Sequence, residues 1–139
     1  MTNFSYQFQV LEKHLDSFGH VNNATYLELF EEARWDFITE RGFGLDKIKN
    51  TAVGPVLLEL NLKFKRELLN REHITIRSHT PHFEPEEHKL ITSLSQDMVK
   101  DDNGKVAATL DLKVGLMDLS KRKLIAPTDE WLYAIGVET

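Results

Sequence analysis

The sequence contains no cysteine. Disulfides, thiolate nucleophiles and metal sites built on cysteine sulfur are therefore excluded, and any catalysis has to use oxygen or nitrogen groups. No apolar run reaches the length that crosses a membrane, and the residues before Ser17 lack the basic start and apolar centre of a signal peptide. We expect a cytoplasmic protein that does not insert into membranes.

Basic residues are also scarce. The chain has 17 lysines and arginines against 22 acidic residues, which gives a formal net charge of -5. No general basic face is available for a phosphate backbone, so nucleic acid is not an expected partner. Internal repeats and Gly- or Ser-rich linkers are absent too, and the 139 residues fit one domain, residues 1–139.

Alternating apolar and polar residues predict one strand at residues 4–12 and four more at 56–64, 73–80, 89–99 and 105–117. The side chains that alternate onto one face are Phe4, Tyr6, Phe8 and Val10; Val56, Leu58, Leu60, Leu62 and Phe64; Ile74 and Ile76; Leu90, Leu94 and Met98; and Val106, Ala108, Leu110, Leu112, Val114 and Leu116. The last two strands are joined by Asn103 and Gly104, a pair able to adopt the positive dihedrals of a tight hairpin. The loop PHFEPEEH at 81–88 separates the two strands before them.

From Tyr26 onward the apolar period becomes helical. One broad apolar arc contains Tyr26, Leu27, Leu29, Phe30, Ala33, Phe37 and Ile38, and a thin acidic stripe lies opposite. The helix should end near Gly42. A buried helix followed by antiparallel strands predicts an α+β fold in which a curved sheet of about five strands wraps around one long central helix. The exposed sheet edges and outer face predict a homo-oligomer.

The entrance of this helix carries more polar residues than a cap requires. Asn22, Asn23 or Thr25 can cap it, and Thr25 with Glu28 forms a literal capping box. Asp16 lies about seven residues upstream, with Gly19 to make a turn. The free N–H groups of the first helical turn can polarise the carbonyl group of a substrate. A nearby carboxylate can then attack that carbonyl carbon or activate a water molecule that does so. From spacing alone, a turn or a cap is the more common role for an aspartate before a helix, and catalysis by Asp16 is the less common one.

The stretch DSFGHVNNATYLELFEEAR resembles the signature of hotdog-fold acyl-CoA thioesterases of the 4-hydroxybenzoyl-CoA thioesterase type. In that signature an acid, two residues, a glycine and a short polar stretch lead into a helix with a tyrosine and then an acidic-Ala-Arg segment. The order of one strand, one helix and four strands agrees with the same family over nearly the whole chain.

The resemblance implies hydrolysis of thioesters carried by CoA or by acyl carrier protein. It places Asp16 on the catalytic carboxylate, as nucleophile or general base, and Asn23 where a backbone N–H binds the thioester carbonyl. We predict substrate contacts for the neighbouring residues Gly19, His20, Val21, Asn22 and Tyr26. The resemblance also implies an active unit of two chains with sites at their interface, as a homodimer or a tetramer of two dimers. No cofactor and no metal are expected.

Two departures from the family pattern concern the acid. Many relatives carry another acid two residues before the catalytic one, where this chain has His14, which would alter the charge state of Asp16. A hydroxyl that relatives often place near the thioester has no clear counterpart in FEPEEHKLITS. A second hotdog subgroup uses a glutamate within the helix, but Glu28, Glu31 and Glu32 fall on the polar side of the arc, which favours Asp16.

Several other residues have two interpretations. His20 either contacts substrate or makes a structural hydrogen bond, and His14, Asp16 and His20 together would offer a metal two imidazoles and a carboxylate. Arg34 and Arg41 lie within the apolar arc, and Arg34 is expected to pair with an acid or with backbone carbonyls at the subunit contact. The most basic part of the chain either meets the phosphates of a nucleotide tail or discourages edge pairing. It consists of Lys63, Lys65, Arg66, Arg77 and Lys89.

The sequence thus favours an acyl-CoA thioesterase. The main alternative is a hotdog module that binds acyl-CoA or another apolar ligand without hydrolysing it. A hotdog dehydratase or hydratase is disfavoured, because the Asp and His motif of those enzymes is not found.

Overall fold

The computed structural model of the protein describes residues 2–81 and 90–137. Most of the predicted loop at 81–88, together with Lys89, lies outside the described residues. In chain order the elements are β1 (Phe4–Gln9), a 3-10 turn (Glu12–His14), α1 (Asn23–Glu40), α2 (Leu45–Thr51), β2 (Val53–Phe64), β3 (His73–His79), β4 (Ile91–Lys100), β5 (Val106–Asp118), β6 (Lys123–Ile125) and α3 (Asp129–Ala134).

The strands form one antiparallel sheet in the order β1-β3-β4-β5-β2, with the sixth strand, β6, paired to β5. The sequence predicted about five strands. The additional strand has three residues, which is too short to show an alternating pattern. Within the described part of the chain, β1 and β2 are each paired on one side, so they form the two edges of the sheet.

The long helix α1 covers the sheet with its apolar side. Its buried residues are Tyr26, Leu29, Phe30, Ala33, Phe37 and Ile38, which confirms the predicted arc apart from the half-buried Leu27. The Phe37 ring stacks on Phe4 of β1 at 4.2 Å between ring centroids. The helix ends at Glu40, and Gly42 follows with a φ of 93°, as the RGFG segment predicted. Curvature of the sheet around this helix stays a prediction.

Strand β2 does not bury the apolar face that its alternation suggested. Leu58, Leu60 and Phe64 are 44%, 38% and 52% exposed within the single chain. A register shift between Leu57 and Glu59 in the pairing with β5 also interrupts the alternation, so Leu57 is exposed as well. An edge strand therefore carries a row of uncovered apolar side chains.

Strand β4 follows its predicted alternation but buries polar residues with the apolar ones. Thr92, Gln96 and Lys100 lie on the same buried face as Leu94 and Met98. Lys100 forms an ion pair with Glu72, with 3.2 Å between Nζ and Oε1. Leu90, by contrast, precedes the strand and is exposed, which corrects the prediction that it belongs to the buried face.

The connection between β4 and β5 is a hairpin, as predicted, with a four-residue loop at 101–104. Only Gly104 of the expected pair has a positive φ, 70°. Asn103 acts through its side chain instead, because its Oδ1 accepts a hydrogen bond from the Lys105 N–H at 2.9 Å.

Across the two described ranges, the structure contains no helix long and apolar enough to cross a membrane.

Candidate active site

Asp16 lies in a tight loop between the 3-10 turn and α1. An isolated bridge between Leu15 and Val21 closes this loop, and Val21 is buried. Inside it, the Asp16 Oδ1 accepts hydrogen bonds from the N–H groups of Phe18, at 2.9 Å, and of His20, at 3.2 Å. Asp16 therefore does make a turn, but with one carboxylate oxygen only, and its side chain stays exposed to solvent.

Gly19 gives this loop its shape. Its φ of 79° belongs to the left-handed region that side chains with a Cβ rarely adopt, and its N–H donates to the Asp16 carbonyl at 3.0 Å. The space around its missing Cβ is open within 4 Å. Gly19 is therefore needed for the backbone conformation and not for a close contact.

Helix α1 begins directly after this loop. Asn22 is the N-cap, and its Oδ1 accepts from the Ala24 N–H at 2.8 Å. The alternative start at the Thr25 capping box is thus excluded. Asn23 is the first helical residue, and its own N–H has no acceptor among the described residues. Its side chain reaches only the neighbouring Ala24 N–H, at 3.1 Å.

A groove of about 400 Å³ opens beside the helix start. It is lined by His20, Val21, Asn23, Tyr26, Phe64, Lys65, Arg66 and Glu67. The structure therefore brings four of the seven predicted site residues together around one space. Asp16, Gly19 and Asn22 are on the adjoining loop but do not line the groove.

Tyr26 forms the inner wall of this groove. It is 5% exposed, and its ring meets the Phe64 ring edge to face at 5.0 Å. Burial raises the pKa of the Tyr26 hydroxyl above its ordinary value of 10.0, so the side chain remains protonated at neutral pH. Tyr26 is therefore a core residue, as the apolar arc predicted, and it also lines the groove.

His20 and Glu67 face each other across the groove, with 3.4 Å between Nε2 and Oε1. Both side chains are more than half exposed, so the pair contributes little stability. The sequence alone does not indicate that Glu67 or Phe64 belongs to the site. Phe64 is the last residue of β2 and Glu67 follows it by three residues, and no local pattern indicates that this end meets the entrance of α1.

His14 does not point its side chain at Asp16. Its Nδ1 accepts a hydrogen bond from the Leu11 N–H at 2.9 Å, and its ring meets Phe8 edge to face. Burial is the main cause that lowers the pKa of His14 below its ordinary 6.5. Among the described residues no group of three or more His, Asp or Glu side chains is arranged to hold a metal ion.

Lys65 and Arg66 are the two members of the basic set that reach the groove. Arg66 is held there by its Nη1, which donates to the Val106 carbonyl at 2.9 Å. Arg77 lies elsewhere and pairs with Asp97 at 3.2 Å. Lys63 is exposed on β2 and does not line the groove.

The two arginines of the helical arc have separate partners. Arg41 donates through Nε to the Tyr133 carbonyl at 2.6 Å and lies over the Tyr133 ring. Arg34 donates through Nη1 to the Gln96 Oε1 at 2.9 Å, so its partner within the chain is an amide. Its pairing at a subunit contact stays a prediction. Both arginines lie away from the groove at the helix start.

Comparison with known proteins agrees with this architecture. The model of the thioesterase-like superfamily matches residues 10–135. The long-chain acyl-CoA thioesterase FadM of Escherichia coli is 30% identical over 120 residues, which cover 86% of this chain and 87% of FadM. The crystal structure of YbaW from Escherichia coli is 28% identical, with a TM-score of 0.79 and 94% of each chain covered.

A more distant structure has the same fold. The Staphylococcus aureus protein SAV2348, solved in complex with CoA, superimposes with a TM-score of 0.86 at 19% identity. The match covers 96% of this chain and 82% of that one.

Proposed function

The chain belongs to the thioesterase-like superfamily, and from this premise we propose that it hydrolyses acyl-CoA thioesters to a free acid and CoA. Membership confirms the family resemblance that the helix-entrance motif indicated, and with it the hotdog thioesterase fold built on an antiparallel six-stranded sheet. The activity of the family is thioester hydrolysis. The residues and substrate assigned below are our proposal for this chain.

The observation that carries the proposal is the state of Asp16. Its Oδ1 is held by two backbone N–H groups, while no hydrogen bond from the described residues reaches Oδ2. A carboxylate fixed through one oxygen presents the other in a defined direction, which a nucleophile or general base requires. The loop that fixes it runs directly into the N-terminus of α1.

In the general-base form of the reaction, the Asp16 Oδ2 takes a proton from water as the water oxygen bonds to the thioester carbonyl carbon. The carbonyl oxygen becomes an oxyanion, the carbon–sulfur bond then breaks, and the CoA thiolate leaves and takes up a proton. In the nucleophilic form, Oδ2 itself bonds to that carbon, the carbon–sulfur bond breaks, and the CoA thiolate leaves and takes up a proton. Water then hydrolyses the resulting anhydride to the free acid and the Asp16 carboxylate. Both forms need a donor for the oxyanion.

We assign that donor to the backbone N–H of Asn23. It is the first N–H of an 18-residue helix, so it lies at the positive end of the helix dipole and has no partner within the helix. Asn22 already caps the next N–H, that of Ala24, and leaves the Asn23 N–H to a ligand. The side chain of Asn23 is not needed for this role.

The groove beside the helix start is the proposed path of the thioester and its carrier. Tyr26 and Phe64 supply an apolar wall, and Lys65 and Arg66 place two cations at the rim. Cations at this position suit the phosphates of CoA, or the phosphate on the arm of an acyl carrier protein. Gly19, His20, Val21 and Asn22 line or shape the same entrance.

We also propose that the active unit is a homodimer formed along β2, either alone or as half of a tetramer. The unpaired edge of β2 and its exposed Leu57, Leu60 and Phe64 are features that soluble proteins cover. Two β2 edges that pair antiparallel about a twofold axis would both satisfy the free backbone groups of the edge and cover its exposed apolar side chains.

The proposal is tested by release of free thiol from a panel of acyl-CoA thioesters. Thiol release catalysed by the protein supports hydrolysis. Binding of acyl-CoA by calorimetry without thiol release would instead support a ligand-binding module. Addition of water to an enoyl-CoA with the thioester intact would support a hydratase.

A further inference from the structure

The side chains of His20 and Glu67 form a pair beside Asp16 that the hydrolysis described above does not use. Both line the groove that Asn23 and Tyr26 also border. The His20 Nε2 and the Glu67 Oε1 are 3.4 Å apart, and both side chains are more than half exposed. A pair this exposed adds little to the free energy of unfolding, so stability does not account for its position in the groove.

The structural role of His20 in the loop belongs to its backbone. Its N–H donates to the Asp16 Oδ1 at 3.2 Å, and its carbonyl accepts from the Asp16 N–H at 2.8 Å. Neither hydrogen bond involves the imidazole. Replacement of the His20 side chain therefore keeps the hydrogen bonds that fix Asp16, and a loss of activity in such a variant reports on the imidazole itself.

Glu67 lies beside one nitrogen of the imidazole and leaves the other available. It contacts Nε2, whereas Nδ1 has no hydrogen bond or ion pair with any residue that the structure describes. The two nitrogens of a histidine act separately, and hydrolases of unrelated folds place a carboxylate at one of them while the other exchanges protons with the reacting atoms. Nδ1 is therefore the atom that can give a proton to a substrate in the groove.

Glu67 pairs with the histidine although two permanent cations line the same groove. Arg66 directs its Nη1 to the Val106 carbonyl at 2.9 Å, and Lys65 forms no ion pair within the described part of the chain. Both cations are thus left for the phosphates of the carrier, as proposed above. The Glu67 carboxylate acts on the His20 imidazole instead.

We propose that His20 is a further catalytic residue of the hydrolase, which donates a proton from Nδ1 to the sulfur of the departing thiol, and that Glu67 is a positioning residue that orients its imidazole. The inference rests on the proposed function, because it assigns the source of the proton that the CoA thiolate takes up. His20 and Asn23 line one groove. A thioester held by the Asn23 N–H therefore lies in the same space as the imidazole.

In the nucleophilic form of the reaction the imidazole transfers a proton twice. As the carbon–sulfur bond breaks, its electron pair goes to sulfur, which takes the Nδ1 proton of the imidazolium and leaves as the thiol. The neutral imidazole then takes a proton from the water whose oxygen bonds to the anhydride carbon. This second step releases the free acid and the Asp16 carboxylate and restores the imidazolium, so the protons balance over the cycle.

In the general-base form the two residues divide the proton transfers. Asp16 takes a proton from the attacking water, and the imidazolium of His20 gives its Nδ1 proton to sulfur as the carbon–sulfur bond breaks. The cycle leaves Asp16 protonated and the imidazole neutral, and transfer of that proton through solvent restores both. The donor accelerates either form, because a neutral thiol leaves more readily than a thiolate.

The acidity of the leaving thiol tests this step. Octanoyl thioesters of N-acetylcysteamine and of 4-nitrothiophenol share an acyl group and lack the nucleotide of CoA, but the nitrothiophenolate is stable enough to leave without a proton. We expect His20→Gln to lower kcat/KM for the cysteamine thioester about tenfold to a hundredfold, near the lower end of general-acid effects because a thiolate is already a moderate leaving group. The loss on the nitrothiophenol thioester should be less than about threefold.

Glu67→Gln tests the positioning role, because glutamine keeps the size of the side chain and removes its charge. We expect a smaller loss than in His20→Gln, again confined to the cysteamine thioester. Two controls lie outside the groove. Glu12→Gln removes an exposed carboxylate from its ion pair with Arg71, and His73→Gln replaces an exposed histidine at the start of β3. Neither control should change the ratio of kcat/KM for the two thioesters.

The outcomes separate this inference from the proposed function. A His20→Gln protein that loses equal activity on both thioesters, or none on either, would overturn proton donation by His20 and leave hydrolysis at Asp16 standing. A Glu67→Gln protein with the wild-type ratio would overturn the role of Glu67. Absence of thiol release by the wild type from these thioesters and from acyl-CoA would overturn the hydrolase itself.

Discussion

Asp16 and His20 are joined by two hydrogen bonds that run in opposite directions. The Asp16 N–H donates to the His20 carbonyl at 2.8 Å, and the His20 N–H donates to the Asp16 Oδ1 at 3.2 Å. This reciprocal pair closes the loop over Gly19 and uses one carboxylate oxygen while leaving the other exposed. The structural role of Asp16 and its proposed chemical role are therefore compatible, because they belong to different oxygens of one group.

Gly19→Ala tests whether the shape of this loop matters for activity. The open space around Gly19 means that the cost is conformational, about 1 kcal/mol or a melting temperature lower by about 4 °C. Gly104→Ala is a matched control, because Gly104 also has a positive φ and open space. We expect similar thermal losses by calorimetry but a loss of kcat in Gly19→Ala only. Equal activity losses in both would contradict a specific role for the loop.

Asn23→Pro tests the proposed oxyanion donor, because proline removes the backbone N–H and is well tolerated at the first position of a helix. Asn22 has φ of -67° and ψ of 145°, a conformation that suits the residue before proline. We expect a folded protein with kcat reduced about 10²- to 10³-fold. Asn23→Ala keeps the N–H and should retain most of the activity. If both variants behave alike in steady-state kinetics, the backbone donor is wrongly assigned.

Leu60→Glu tests the proposed dimer along β2. Leu60 is partly exposed near the middle of this edge strand, where a charge opposes strand pairing. We expect analytical ultracentrifugation to show a shift from dimer to monomer, with thioester hydrolysis reduced accordingly. Leu45→Glu places the same charge on α2, where Leu45 is 61% exposed, and should change neither property. A dimer that survives Leu60→Glu unchanged would rule out this interface.

His14 predicts a dependence of stability on pH. Burial lowers its pKa in the folded protein, so the unfolded chain binds a proton more readily. The stabilisation is fully present above the unfolded pKa of about 6.5 and is lost as the pH falls through the lower folded value. His14→Asn removes this titration and keeps an acceptor for the Leu11 N–H. Its unfolding free energy in urea should fall less than that of the wild type over this pH window, and parallel curves would refute the assignment.

The helix and its entrance could be predicted because their signals are local. The helical period and the terminating glycine each act within a few residues, and they predict the buried side of α1 and the turn near Gly42. The same local pattern narrows the cap to Asn22, Asn23 or Thr25, and the structure selects Asn22. The hairpin at Gly104 is predictable for the same reason. The family resemblance then supplied the function, which the local pattern at Asp16 left open.

The features that the sequence did not predict depend on contacts between distant parts of the chain. The bulge at Leu57 changes which side chains of β2 are exposed, and nothing in the alternation indicates it. The approach of Glu67 to His20 and the position of Gln96 under Arg34 arise from sheet register. Trp131 belongs to a terminal segment whose partner surface on α1 is set only when the sheet is complete.

The central claim is that the Asp16 carboxylate drives thioester hydrolysis. Asp16→Asn tests it with little structural change, because asparagine keeps the Oδ1 acceptor for the Phe18 and His20 N–H groups and loses only the negative charge. Asp102→Asn, in the exposed loop between β4 and β5, is the matched control.

The decisive measurement is the rate of thiol release from the best acyl-CoA substrate by the wild type, Asp16→Asn and Asp102→Asn, with melting temperatures compared in parallel. We expect Asp16→Asn to melt like the wild type and to lose kcat by at least about 10²-fold, while Asp102→Asn keeps full activity. Undiminished turnover by a folded Asp16→Asn protein would contradict the account.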